Sequence, residues 1–92
     1  MVATDKIKRV VYLSVNHCVG CMLTNPRILE LEKKVFVQRM DGNIHKEICK
    51  KHDISFFPAI ILYDEDDNIV DKIVGPRSID YAMRTIFNIN LG

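Results

Sequence analysis

Apolar residues fall along the chain in two kinds of pattern, short β-branched runs and stripes at helical spacing. Val10 to Val15 (Val-Val-Tyr-Leu-Ser-Val) is a nearly continuous apolar run, which predicts a strand buried on both faces of a sheet. Residues from about 19 to 34 predict a helix, with Ile28, Leu31 and Val35 recurring on one face and Pro26 kinking it. Val35 to Met40 reads as a second strand. Asp41, Gly42 and Asn43 form a turn, with Asn43 capping a short helix whose face is Ile44, Ile48 and His52. Ala59 to Tyr63 and Ile69 to Val74 are a third and a fourth strand. The polar turn Asp64-Glu65-Asp66-Asp67-Asn68 between them predicts an antiparallel hairpin. Gly75-Pro76 ends that hairpin. Ser78 caps a last helix with the stripe Ile79, Ala82, Met83, Ile86 and Phe87. The order is βαβαββα. Its first two strands are joined through a helix and should be parallel. The expectation is an α/β fold, a four-stranded mixed sheet with helices on both faces.

Composition narrows the function classes. A chain of 92 residues predicts a single domain, 1–92. With 48% hydrophobic and 27% charged residues it is no disordered chain. The net charge of +1 comes without a basic stripe, so no nucleic-acid partner is expected. No apolar run reaches the roughly 18 residues of a membrane span. The first residues hold no apolar stretch of signal-peptide length, and Asp5, Lys6, Lys8 and Arg9 follow; the expectation is a reducing, cytoplasmic setting. Three cysteines, an odd count, speak against a structural disulfide framework. The acid run Asp64 to Asp67 is no calcium loop, because Ile69 and Gly75 stand where an EF-hand needs Gly and Glu.

The chemistry concentrates at Cys18-Val19-Gly20-Cys21, directly after the first strand and at the start of a helix. Unpaired N–H groups at a helix N-terminus stabilise a thiolate and can lower a cysteine pKa from about 8.5 to roughly 3.5–7.5. Two intervening residues let the sulfurs meet across one helical turn, with Cys18 as the outer, attacking thiol and Cys21 as the resolving one. The same pair is also half of a possible zinc set, Cys18-x2-Cys21 with Cys49-x2-His52. A chain with four strands and three helices has its own core and little need of a zinc knuckle, which favours the redox reading. His17, if protonated, would support the Cys18 thiolate; otherwise it is an exposed loop residue. His45 and His52 read as solvated helix residues, Cys49 as a packing cysteine beside Ile48, and Tyr12 as core.

Taken with these motifs, the chain resembles the thioredoxin-like thiol–disulfide oxidoreductases. Pro26 lies eight residues after Cys18, where that family kinks its helix. Asp41 ends the second strand, Phe57-Pro58-Ala59 opens the third at the family's cis-proline, and Gly75 ends the fourth. The resemblance covers about residues 7–90 and implies a minimal, glutaredoxin-sized thioredoxin fold without the leading strand and helix of full-length thioredoxins. It implies Cys18 and Cys21 as catalytic residues, with Val19, Gly20, Phe57, Pro58 and Gly75 as the substrate platform. It further implies no metal and no organic cofactor, the Cys18–Cys21 disulfide itself carrying two electrons. The implied partners are disulfide-containing proteins and a thioredoxin-reductase-like or thiol reductant, with the chain acting as a monomer in electron transport and redox homeostasis. Three positions depart from the family: the dipeptide is Val19-Gly20, Tyr12 replaces a buried acid six residues before Cys18, and His17 replaces a tryptophan. Glutaredoxins carry Thr-Val before the cis-proline and Gly-Gly after the fourth strand. Phe56-Phe57 and Gly75-Pro76 match neither, so a protein disulfide is favoured over glutathione. The alternative is a redox-inactive member of the fold that binds a partner or zinc.

Overall fold

Residues 6–90 are described by the computed structural model. The run at Val10 sits in β1 (Arg9–Ser14), a strand with neighbours on both sides. β2 (Phe36–Asp41) pairs with it in parallel and β3 (Ala59–Tyr63) antiparallel; β4 (Ile69–Val74) pairs antiparallel with β3. The sheet order is therefore β2-β1-β3-β4. Successive side chains of a strand point to opposite faces, and both faces of β1 are covered. Val10 and Tyr12 pack with Ile28 and Leu31 of α1 (Val19–Leu31) and with Ile79 and Met83 of α3 (Pro76–Thr85). Val11 and Leu13 pack on the other face with Cys49 of α2 (Lys46–Lys51) and with Ile54. The α/β architecture, the mixed sheet, the parallel β1–β2 pair and the helices on both faces agree with the reading of the sequence. Pro26 lies inside α1 as expected. Among the described residues, no helix is long and apolar enough to cross a membrane.

The local departures have physical causes. Asn43 does not cap α2: its backbone N–H donates to Asp41 Oδ1 at 2.7 Å, an Asx turn that uses up the start of the segment. α2 begins only at Lys46, after His45, which makes no side-chain cap bond. The helix buries Cys49, and Ile44, which now lies before it in the turn, is exposed. Ser78 does not cap α3 either. That helix starts three residues earlier than such a cap would place it, at Pro76, where a proline loses nothing by lacking an N–H, and Gly75 holds the cap position. α3 stops at Thr85, yet Phe87 beyond it is buried. α1 ends at Leu31, and Lys33 and Lys34 follow in a turn whose N–H groups donate to Glu30 and Leu31 carbonyls. The acid run is turn chemistry: Asp64 Oδ1 accepts from the N–H groups of Asp66 and Asn68, both at 2.9 Å.

Truncating a residue at the sheet centre should cost far more than truncating one on α2's approach. Ile60→Ala, which empties a fully buried site, is expected to lose about 2–5 kcal/mol. Ile44→Ala is expected to change stability by less than about 0.5 kcal/mol. Urea unfolding of the two variants measures both.

Candidate functional site

The strand directions bring four loops to one end of the sheet. β1 and β2 run in parallel, so Ser14 and Asp41 are opposite each other. β3 runs against β1 and β4, so Ala59 lies beside Leu13 on one side and Val74 on the other. The loops carrying Cys18, Gly42, Pro58 and Gly75 therefore converge.

Cys18 is the N-cap of α1. Its Sγ accepts the Cys21 backbone N–H at 3.1 Å, and its carbonyl accepts from the Met22 N–H. The first turn of α1 carries no acidic residue, so nothing offsets the positive end of the helix beneath the sulfur. Cys18 and Cys21 are joined as a disulfide, with their Cα atoms 5.2 Å apart. Cys18 is half-buried and Cys21 is buried, consistent with an outer and an inner thiol. His17 precedes Cys18 in a left-handed conformation (φ 59°) and is exposed.

Opposite the disulfide lies the loop before β3. The Phe57–Pro58 peptide is cis. The Phe57 carbonyl oxygen stands 3.8 Å from Cys18 Sγ, near enough to accept from the Cys18 thiol once the disulfide is opened. The Pro58 carbonyl accepts the Gly75 N–H at 2.8 Å. Gly75 has a φ of 98° and open space where a side chain would go, so its backbone conformation is what asks for glycine. Gly20 is the reverse case: a Cβ there would stand 3.2 Å from Pro58 Cδ and 3.3 Å from Pro76 Cγ. The first turn of α1 thus rests directly on the two prolines. Val19, Met22 and Leu23 on α1 and Phe56 beside the loop are large apolar side chains left exposed at this end.

The structure gathers Cys18 and Cys21 with Gly20, Phe57, Pro58 and Gly75, the set that the resemblance implies. It does not gather the alternative zinc set: Cys49 lies in the apolar cluster under α2, its Sγ 3.8 Å from the Gly42 carbonyl. Among the described residues, no three His, Cys, Asp or Glu side chains are grouped to hold a metal ion. Burial pushes the Cys49 thiol up, while burial with Lys51 and Lys72 nearby holds His52 down.

Two features had no signal in the sequence. Gly42 reads there as a turn former, yet its φ is not positive; a Cβ on it would overlap the half-buried Phe57 ring. Beside the disulfide, a recess of about 460 Å³ is lined by Tyr12, Asn25 and Arg39 among others, residues from three separate elements.

A sequence model of the Thioredoxin family matches residues 1–87. Among solved structures, a Fasciola hepatica thioredoxin is similar at a TM-score of 0.75 and 20% identity, over 95% of this chain and 85% of that one. Oxidised mitochondrial thioredoxin 3 from Saccharomyces cerevisiae gives 0.70 and 19% identity, over 90% and 82%. A Schistosoma mansoni thioredoxin in its reduced form gives 0.69 and 22%, over 89% and 81%. At these identities the likeness carries the fold. No curated protein sequence matches the chain.

Gly42→Ala is expected to lose about 1–3 kcal/mol by overpacking, and adding Phe57→Leu in the same chain should recover part of it. Chemical denaturation of the single and double variants measures this. In reduced protein at mildly alkaline pH, Cys49 should be the last thiol alkylated, since burial both shields it and raises its pKa. Time-resolved mass spectrometry of iodoacetamide labelling shows the order.

Proposed function

Because the chain belongs to the thioredoxin family, we propose that it is a thiol–disulfide oxidoreductase that uses Cys18 and Cys21 to reduce or exchange disulfides in proteins. The observation that carries this reading is the Cys18–Cys21 pair at the N-terminus of α1, facing the Phe57–Pro58 loop. In the proposed cycle the reduced Cys18 thiolate, supported by the Cys21 N–H and the helix end, attacks one sulfur of a substrate disulfide. The substrate S–S bond breaks, and one substrate thiolate leaves and is protonated. Cys18 is then held in a mixed disulfide. The Cys21 thiolate attacks Cys18 Sγ, the mixed bond breaks, the second substrate thiol leaves, and the Cys18–Cys21 disulfide forms. Two electrons have passed from the dithiol to the substrate. A thiol or dithiol reductant resets the pair, in a reducing setting such as the cytoplasm, where Cys49 stays a free thiol.

An extended substrate segment would lie over Val19 and Gly20, with Phe57, Pro58 and Gly75 as the facing wall. Exposed Val19, Met22 and Phe56 favour a segment with apolar side chains beside its disulfide. His17 stands next to Cys18 and, when protonated, would favour its thiolate. The direction of net electron flow follows from the potential that the Val19-Gly20 dipeptide imposes.

Cys18→Ser is expected to abolish reduction of insulin by dithiothreitol-fed protein. Cys21→Ser should leave a mixed disulfide that accumulates with substrate, visible as an added mass on Cys18. Insulin turbidity and intact-mass spectrometry measure the two. Wild-type turnover by the Cys18→Ser chain would remove the proposed cycle.

A further inference from the structure

The recess beside the disulfide opens between α1 and the ends of β1 and β2, and Cys21 is part of its wall. The charge in its lining, Arg39, is matched internally, while Ser14 and Asn16 add polar groups to the wall. Arg39 donates to Glu32 through Nε and Nη2, both at 3.1 Å, and to Asn25 Oδ1 through Nη1 at 3.0 Å. With its charge paired, Arg39 offers little to an incoming carboxylate or phosphate. A polar recess of about 460 Å³ that reaches the resolving cysteine has room and partners for water.

Tyr12 forms the floor. Its ring is buried, and its hydroxyl donates to the Cys21 carbonyl at 3.3 Å. It is a neutral hydroxyl beside the resolving cysteine. Burial pushes the phenol above its ordinary value, opposed only in part by Arg39, so Tyr12 stays protonated through neutral pH. It can hold Cys21 but takes no proton from it. The other charged or titratable groups around this turn are His17 and Cys18 before it and the Arg39–Glu32 pair from β2 and the end of α1. From α3, Asp80 is paired with Arg27 and Arg84, and Arg77 is exposed.

We propose that Cys21 loses its proton to water in this recess, and that Tyr12 is the positioning residue that holds the first turn of α1 so that Cys21 faces Cys18. This rests on the dithiol cycle proposed above. With Cys18 in the mixed disulfide, Cys21 gives its Sγ proton to recess water. The resulting thiolate forms the Cys21–Cys18 bond, the Cys18–substrate bond breaks, and the leaving substrate thiolate takes a proton from solvent. No carboxylate enters the step, so resolution should follow one ionisation, that of Cys21.

The test uses the reduced full chain with dithiobis(nitrobenzoate) in stopped flow. Attack by Cys18 releases a first thionitrobenzoate, and resolution by Cys21 releases a second. Tyr12→Phe keeps the ring and removes the hydroxyl. It should slow the second phase about fivefold, with the first phase within about twofold of the parent. Asn25→Leu replaces a polar group of the recess wall with an apolar one and should raise the pH midpoint of the second phase by about one unit. A second phase unchanged in Tyr12→Phe overturns the proposal, as does an unmoved midpoint in Asn25→Leu or a second ionisation in the parent profile. If Tyr12→Phe fails to fold, the Asn25→Leu midpoint decides the proton step, and Tyr12→Met, which also lacks the hydroxyl, takes its place in the rate test. A parent chain whose Cys18 keeps the thionitrobenzoate as a stable mixed disulfide, releasing no second one, overturns the dithiol cycle, and this proposal with it.

Discussion

The geometry around the dithiol depends on one close packing contact, the seat of α1's first turn on Pro58 and Pro76. Gly20 makes it possible by leaving only hydrogen where a side chain would press on both rings. Pro58 in turn is held by its carbonyl's bond from Gly75, and Gly75 begins α3. The loop before β3 and the starts of two helices are thereby locked into one unit at the end of the sheet. The Phe57 ring, seated over Gly42, ties the β2–α2 turn to the same unit. A shift in any of these four loops would change the 3.8 Å spacing between Cys18 Sγ and the Phe57 carbonyl.

The electrostatics of the site are arranged around neutral groups and paired charges. Cys18 sits on a helix end with no acid in its first turn, and Cys21 is anchored from below by a phenol. Arg39, which lies over the Tyr12 ring, is matched by Glu32, whose carboxyl that bond holds below the ordinary range. A buried carboxylate beside Cys21 would oppose its ionisation by like-charge repulsion. A phenol imposes no such penalty, and it gives the thiol no base to replace water.

How much of this was legible in the sequence depends on the range of the interaction. β1, β3 and β4 read correctly because each is a short β-branched run bounded by turn residues. The hairpin read correctly because Asp64 to Asn68 is polar throughout. The cap at Asn43 and the buried face at Ile44 did not, because Asp41 captured the Asn43 N–H first and α2 begins two residues later than that cap would start it. The start of α3 was misplaced because Ser78 is a good cap by type, whereas Pro76 and the positive φ of Gly75 decide where the helix begins. Gly42 does lie in the expected turn, but what excludes a side chain there is a ring fifteen positions away along the chain.

By itself the sequence determined the order of elements, the parallel first pair of strands, and a cysteine pair at the start of a helix. These follow from side-chain periodicity and from chain connectivity, both local properties. The tertiary structure alone decided what faces that pair: the Phe57–Pro58 loop, the Gly20 seat on two prolines, and the Tyr12–Asn25–Arg39 recess. Those residues come from separate strands, helices and loops, and only the strand directions and register bring them to one end of the sheet.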